Sequence, residues 1–198
     1  FGLLSAQDPY QPTEPAIQNS TSMITLFRLT QTDTREYRFM EELLTAAFPP
    51  EEYRELGELR RLTCGRPVFH NNLICDDDRP VGLVTFWDFG DFHYIEHFAT
   101  LPAMRNKGCG HRVLELLGER LRTPLVLEAE LPVEELARRR VGFYARQGFR
   151  TWPHDYRQPP YRAGGEPLPM VLMFKGDPDF EKCFGAVRDR IYREVYGC

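Results

Sequence analysis

Six residues, Arg105-Asn106-Lys107-Gly108-Cys109-Gly110, put two glycines and two cations at the start of a leucine-rich run that reads as a helix. Glycine costs a helix interior up to about 1 kcal/mol relative to alanine, so two of them at one helix start need a reason. A residue without a Cβ lets the backbone approach a ligand closely. The first amides of a helix have no internal acceptor, and the helix dipole adds positive potential there. The chemistry that fits is phosphate binding, with Arg105 and Lys107 adding charge at the same place.

Three phosphate motifs can be compared with this stretch. A dinucleotide fingerprint needs a third glycine where Val113 stands, and no acidic ribose-binding residue is evident downstream. A P-loop needs Gly-Lys-Ser/Thr, but Gly110 is followed by His111-Arg112. The pattern that fits is Arg/Gln-x-x-Gly-x-Gly/Ala. Its setting is a strand ending "HFATLP", a leucine-rich helix, a strand, a second helix and "FYARQGF" at 143–149. In motif and in order of elements over most of 23–176, the chain resembles the GNAT superfamily of acetyl-CoA-dependent N-acetyltransferases.

That resemblance implies an enzyme that moves an acetyl group from acetyl-CoA to a primary amine by direct attack. The implied donor-binding residues are Arg105, Asn106, Lys107, Gly108, Cys109, Gly110 and His111, with the backbone of Phe98, Ala99 and Thr100 pairing with the pantetheine arm. A lysine-like amine has a pKa of about 10.4, so a base must take a proton. Glu96 in "YIEHFAT" matches the family's acidic strand position. Period-2 geometry puts Tyr94, Glu96 and Phe98 on one face, where partial desolvation raises a carboxylate's pKa; a solvated or salt-bridged glutamate is the alternative. Tyr144 matches the family's tyrosine acid, which protonates the departing thiolate; a core tyrosine is the alternative. The loop 154–169, "HDYRQPPYRAGGEPLP", reads as an acceptor wall with Tyr156, Tyr161 and Arg162 as contacts, or as an ordinary surface loop. The acceptor is a small-molecule or peptide amine of open identity, and a homodimer is compatible with the reading. The rival function is a non-catalytic acyl-CoA-binding or regulatory module of the same fold.

These residues need elements to hold them. "MITLFRLT" (23–30) reads as a strand and 34–48 as a helix with Phe39, Leu43, Leu44 and Ala47 in a stripe, stopped by Pro49-Pro50. A second, more polar helix is expected over 51–65. Strands at 68–77, 79–89 and 91–100 are joined by tight turns. The glycine-led helix spans roughly 108–122, followed by a strand at 124–131 and a helix at 133–147 with Gly148 as its C′ residue. A short strand at 149–152, the loop, a last strand at 170–176 and a C-terminal helix over 179–196 complete the chain. This order predicts one α/β (α+β) domain over 23–198, with a mixed, mostly antiparallel, twisted sheet flanked by helices. Residues 1–22, rich in Pro, Gln, Ser and Thr, read as a flexible or non-native extension without the features of a signal peptide.

Composition narrows the class further. The chain has 198 residues, 42% hydrophobic and 27% charged, which suits a globular domain. A net charge of -4 supplies no basic footprint for nucleic acid, and no apolar run is long enough to span a membrane. Five cysteines without a C-x-x-C pattern read as free thiols of a cytoplasmic protein. Cys109, although at a helix start, reads as a variable loop residue and not a nucleophile. His93 and His97 lie roughly 13 Å apart along a strand, too far for one ion, so no metal is expected. Arg138-Arg139-Arg140 reads as a solvated helix face or a contact for CoA phosphate.

Overall fold

The computed structural model describes residues 23–198; the extension read at 1–22 lies outside the described residues. Eight strands form one sheet in the order β1-β2-β3-β4-β5-β8-β6, with β7 also paired to β8. The first four strands, β1 (Ile24–Leu29), β2 (Phe69–Asp76), β3 (Arg79–Asp88) and β4 (His93–Thr100), are antiparallel neighbours. The β2–β3 turn is the pair Asp77-Asp78, both with positive φ, 47° and 66°. This is the handedness a two-residue hairpin requires. Strand β5 (Leu125–Glu130) runs parallel to β4 through the crossover helix α3 (Cys109–Leu121), and β8 (Leu168–Lys175) returns antiparallel to β5. The expected mixed, mostly antiparallel sheet is therefore the observed one.

Both faces of the sheet are covered, as alternation along its central strands requires. Val126, Leu172 and Phe174 join Trp87 and Tyr94 in a core under α1 (Arg35–Ala47), α2 (Leu56–Gly65) and α5 (Phe184–Ile191). Leu125, Leu127 and Met173 point the other way, into a core with Val113, Leu114 and Leu117 of α3 and Tyr144 of α4 (Glu135–Arg146). Thr34 caps α1 by accepting from the Tyr37 amide at 3.1 Å. The buried stripe of α1 is Tyr37, Met40, Leu43 and Leu44, rotated from the expected one, and leaves Phe39 and Ala47 half-buried.

Four local departures from the expected elements bear on the site. The helix expected over 51–65 is broken into a 3₁₀ turn (Pro50–Glu52), an extended stretch and α2. The extended stretch carries Tyr53 and Arg54, both buried. Second, the loop 153–169 contains a short strand, β7 (Tyr156–Gln158), on β8; β6 (Arg150–Thr151) pairs further along the same edge. Third, the helix expected over 179–196 is a 3₁₀ turn (Pro178–Cys183), α5 and a single π turn (Tyr192–Tyr196). Fourth, the β3–β4 ladder slips at Glu96: Thr85 faces His97 and Phe86 faces Ile95. Glu96 is thus the extra residue of a β-bulge.

Candidate active site

The β-bulge decides where the strand's side chains go. Tyr94 and Glu96 face the α1–α2–α5 side, whereas Phe98 packs with the α3–α4 core. The shared face expected for Tyr94, Glu96 and Phe98 is therefore split, because one inserted residue reverses the alternation beyond it. Strands β4 and β5 pair only from His93↔Leu125 to Ile95↔Leu127. Past that point they splay, and the β5-facing edge of residues 96–100 has no strand partner among the described residues. A cleft of about 990 Å³ opens there.

One end of the cleft is built by the glycine loop. Gly108 caps α3 with φ 74°, a left-handed conformation that favours glycine. A Cβ on Gly110 would stand 3.1 Å from Phe143 Cζ, so this glycine permits helix-to-helix contact as well as ligand approach. Arg105, Asn106, Gly108, Cys109, Gly110 and His111 line this end, together with Phe98, Ala99 and Thr100. Lys107 is exposed and does not line the cleft, so of the expected donor residues it alone stands outside. Burial pushes the Cys109 thiol up, which keeps it protonated and suits a packing role. Arg138, Arg139 and Arg140 line the wall, each paired with an acid: the first two with Glu135, and Arg140 with Glu130 at 3.2 Å.

Tyr144 lines the cleft, 8% exposed and edge-on to Phe149. Burial pushes its phenol up to about 12, with the Arg140 cation pulling the other way. The group therefore holds its proton at any ordinary pH and presents it to the cleft as a hydrogen-bond donor.

Glu96 also lines the cleft, but its carboxylate is committed elsewhere. Oε1 accepts from Arg54 Nη2 at 2.5 Å, Oε2 accepts from Trp87 Nε1 at 2.8 Å, and the side chain is wholly buried. Burial works to raise its pKa, but Arg54, then His97 and the two hydrogen bonds, outweigh it and leave the carboxyl below its ordinary range. Arg54 is sandwiched between Trp87 and Tyr161, 5.6 and 5.2 Å from their ring centroids, and also pairs with Glu58 at 3.0 Å. His97, one residue on, joins Thr85 Oγ1 to the Glu52 carbonyl, each at 3.0 Å. It thereby ties the 3₁₀ turn to β4.

The other end of the cleft holds a group that sequence reasoning missed. Glu128 of β5 lines it and is ringed by phenols. Tyr196 donates to its Oε2 at 2.8 Å and Tyr156 donates to its Oε1. Burial pushes the Glu128 carboxyl up to about 7, against the pull of those hydrogen bonds. Tyr161 lines the same end, whereas Tyr156 sits behind Glu128 and does not face the cleft. Nothing in "PLVLEAEL" marks Glu128, since its partners come from β7 and from the π turn, 28 and 68 residues away. Arg162 pairs with Glu55 at 3.0 Å beside the Tyr53 ring. No group of three or more His, Cys, Asp or Glu that could hold a metal occurs among the described residues.

Comparison with known proteins places this arrangement. The model of the acetyltransferase (GNAT) family matches residues 34–149. A GNAT-family protein from Bacteroides thetaiotaomicron is 53% identical, covering 88% of this chain and 99% of its own, with a TM-score of 0.84. A GNAT acetyltransferase from Elizabethkingia anophelis, solved with acetyl-CoA bound, shares the fold at 19% identity (78% and 98% covered, TM-score 0.52). So does Arabidopsis thaliana Naa50, solved with the bisubstrate analogue CoA-Ac-MVNAL, at 16% identity (78% and 99% covered, TM-score 0.52). No curated protein matches the sequence. A matched stretch that includes the glycine loop and Tyr144, and a relative similar over nearly its full length, agree: the chain belongs to the acetyltransferase (GNAT) family.

Proposed function

We propose that the protein transfers an acetyl group from acetyl-CoA to a primary amine, with Tyr144 as general acid and Glu128 as general base. The observation that carries this is the single splayed-strand cleft, with the glycine loop at one end and a proton-accepting carboxylate at the other. Acetyl-CoA supplies a thioester whose acyl carbon gains a bond to nitrogen and loses its bond to sulfur. The glycine loop and the first amides of α3 would hold its pyrophosphate, and the free edge of residues 96–100 its pantetheine arm. Tyr144 gives its hydroxyl proton to the leaving thiolate.

Two carboxylates compete for the role of base, and magnitudes separate them. Moving a proton from an amine of pKa about 10.4 to an ordinary glutamate of about 4.3 costs about 8 kcal/mol, and Glu96 is held lower still. The same transfer to a carboxyl near 7 costs about 5 kcal/mol. Glu96, the base suggested by strand position, then serves through Arg54: their ion pair fixes the wall on which Tyr161 rests.

The test is thiol release from acetyl-CoA with a panel of primary amines, for the parent and for Glu128→Gln. Loss of a general base should lower kcat by about 10²–10⁴-fold. A Glu128→Gln enzyme with parental kcat, beside a folded Glu96→Gln enzyme that is inactive, would return the role to Glu96.

A further inference from the structure

We propose that Tyr196, on the C-terminal π turn, is a positioning residue that, beside Tyr156 on the other carboxylate oxygen, tunes the proton affinity and orientation of Glu128, making this turn a working part of the acceptor end. The inference rests on Glu128 as the base. A phenol has one proton to donate and two lone pairs to accept with. The Tyr196 hydroxyl lies 2.8 Å from Glu128 Oε2, 3.2 Å from the Tyr94 hydroxyl and 3.5 Å from that of Tyr161. Its one proton goes to the carboxylate, the shortest of the three and the only charged acceptor. The Tyr94 hydroxyl also reaches both Tyr196 and Glu128, so a cluster of hydroxyls joins β4, the π turn and β5.

The turn is anchored for this purpose on both sides. Val195 is buried, and its carbonyl accepts from Arg54 Nη2 at 3.5 Å, while Glu194 pairs with Arg66 at 3.1 Å. The guanidinium that holds Glu96 thus also touches the segment that holds Glu128. π turns, with their widened hydrogen-bond step, concentrate at functional sites. Tyr196 lies beyond residues 34–149, as do Tyr156 and Tyr161, so the acceptor end is completed by parts of the chain outside the family's common core.

The groups facing Glu128 are Tyr94 and Glu96 from β4, Tyr156 from β7, Tyr161 from the following loop, and Tyr196 and Tyr192 from the π turn. None of the tyrosines is ionised near neutral pH, so Glu128 alone titrates there among them. A phenol bonded to a carboxylate stabilises its charged form. Removing that bond must raise the pH at which the base becomes available.

The experiment is the pH dependence of kcat/KM for an amine that the parent accepts, measured for the parent, Tyr196→Phe and Tyr192→Phe. Tyr192 donates to the Arg157 carbonyl at 2.5 Å and packs on Tyr156, so its variant perturbs the same turn without removing a bond to Glu128. The expected result is an acidic limb displaced upward by about one pH unit in Tyr196→Phe, hence a roughly tenfold loss on that limb. The KM for acetyl-CoA and the Tyr192→Phe profile should stay parental. An active Tyr196→Phe enzyme with an unmoved limb overturns the inference and leaves the base assignment standing. A parent limb that survives in Glu128→Gln overturns the base assignment, and the inference falls with it.

Discussion

At the scale of single residues, the site separates two glutamates by what surrounds them. Glu96 accepts from a guanidinium and an indole N–H inside the protein, whereas the hydrogen bonds to Glu128 come from phenols. The separation has opposite consequences for stability. For Glu96 the folded carboxyl lies below the unfolded value of about 4.3, so its stabilisation is complete above that pH and is lost as pH falls through the folded pKa. For Glu128 the folded carboxyl lies near 7, so the native state binds the extra proton and stability declines as pH rises from about 4.3 to about 7. Denaturant titrations at pH 5 and pH 8 should show Glu128→Gln removing part of that decline. Glu96→Gln should instead cost up to about 3–5 kcal/mol near neutrality, because it leaves the buried Arg54 charge with only the more exposed Glu58 as a partner. Tyr144→Phe should lower kcat by about 10²-fold or more while leaving the unfolding midpoint within about 0.5 kcal/mol of the parent. Steady-state kinetics and equilibrium unfolding on one preparation check both halves.

At the scale of elements, the glycine loop and the strand order could be read from the sequence because they are local. A left-handed cap needs Gly108, and the apolar periods of α3 and β5 are written in consecutive residues. Gly108→Ala should weaken acetyl-CoA binding, since a Cβ at φ 74° costs about 1–2 kcal/mol and tilts the first amides of α3. Isothermal titration would show this as a raised Kd with little change in the amine's KM. What the sequence did not disclose are the irregularities: the break before α2 that turns Arg54 inward, the bulge at Glu96, and the π turn that carries Tyr196. Each arises from a tertiary contact between segments 42 to 141 residues apart, and local periodicity holds no record of such contacts. The strand position of Glu96 pointed to the right cleft, but its partner Arg54 was hidden in a stretch that reads as helix.

At the scale of the whole molecule, a continuous eight-stranded sheet carries donor and acceptor ends on one rigid support. Splaying between β4 and β5 opens the cleft without interrupting the core on either face. A ligand that spans both strands should stabilise the fold as a unit: acetyl-CoA at a hundred times its Kd adds about 2.7 kcal/mol. For a chain of this size that is a rise in Tm of roughly 5–10 °C, and NAD should give none. Acetyl transfer with Glu128 as base is tested most directly by amine-dependent thiol release from acetyl-CoA across pH 5 to 9. The expected result is turnover that needs a primary amine, rises through an acidic limb near pH 7 and loses that limb in Glu128→Gln. Tight acetyl-CoA binding with no thiol released for any amine at any pH would contradict it.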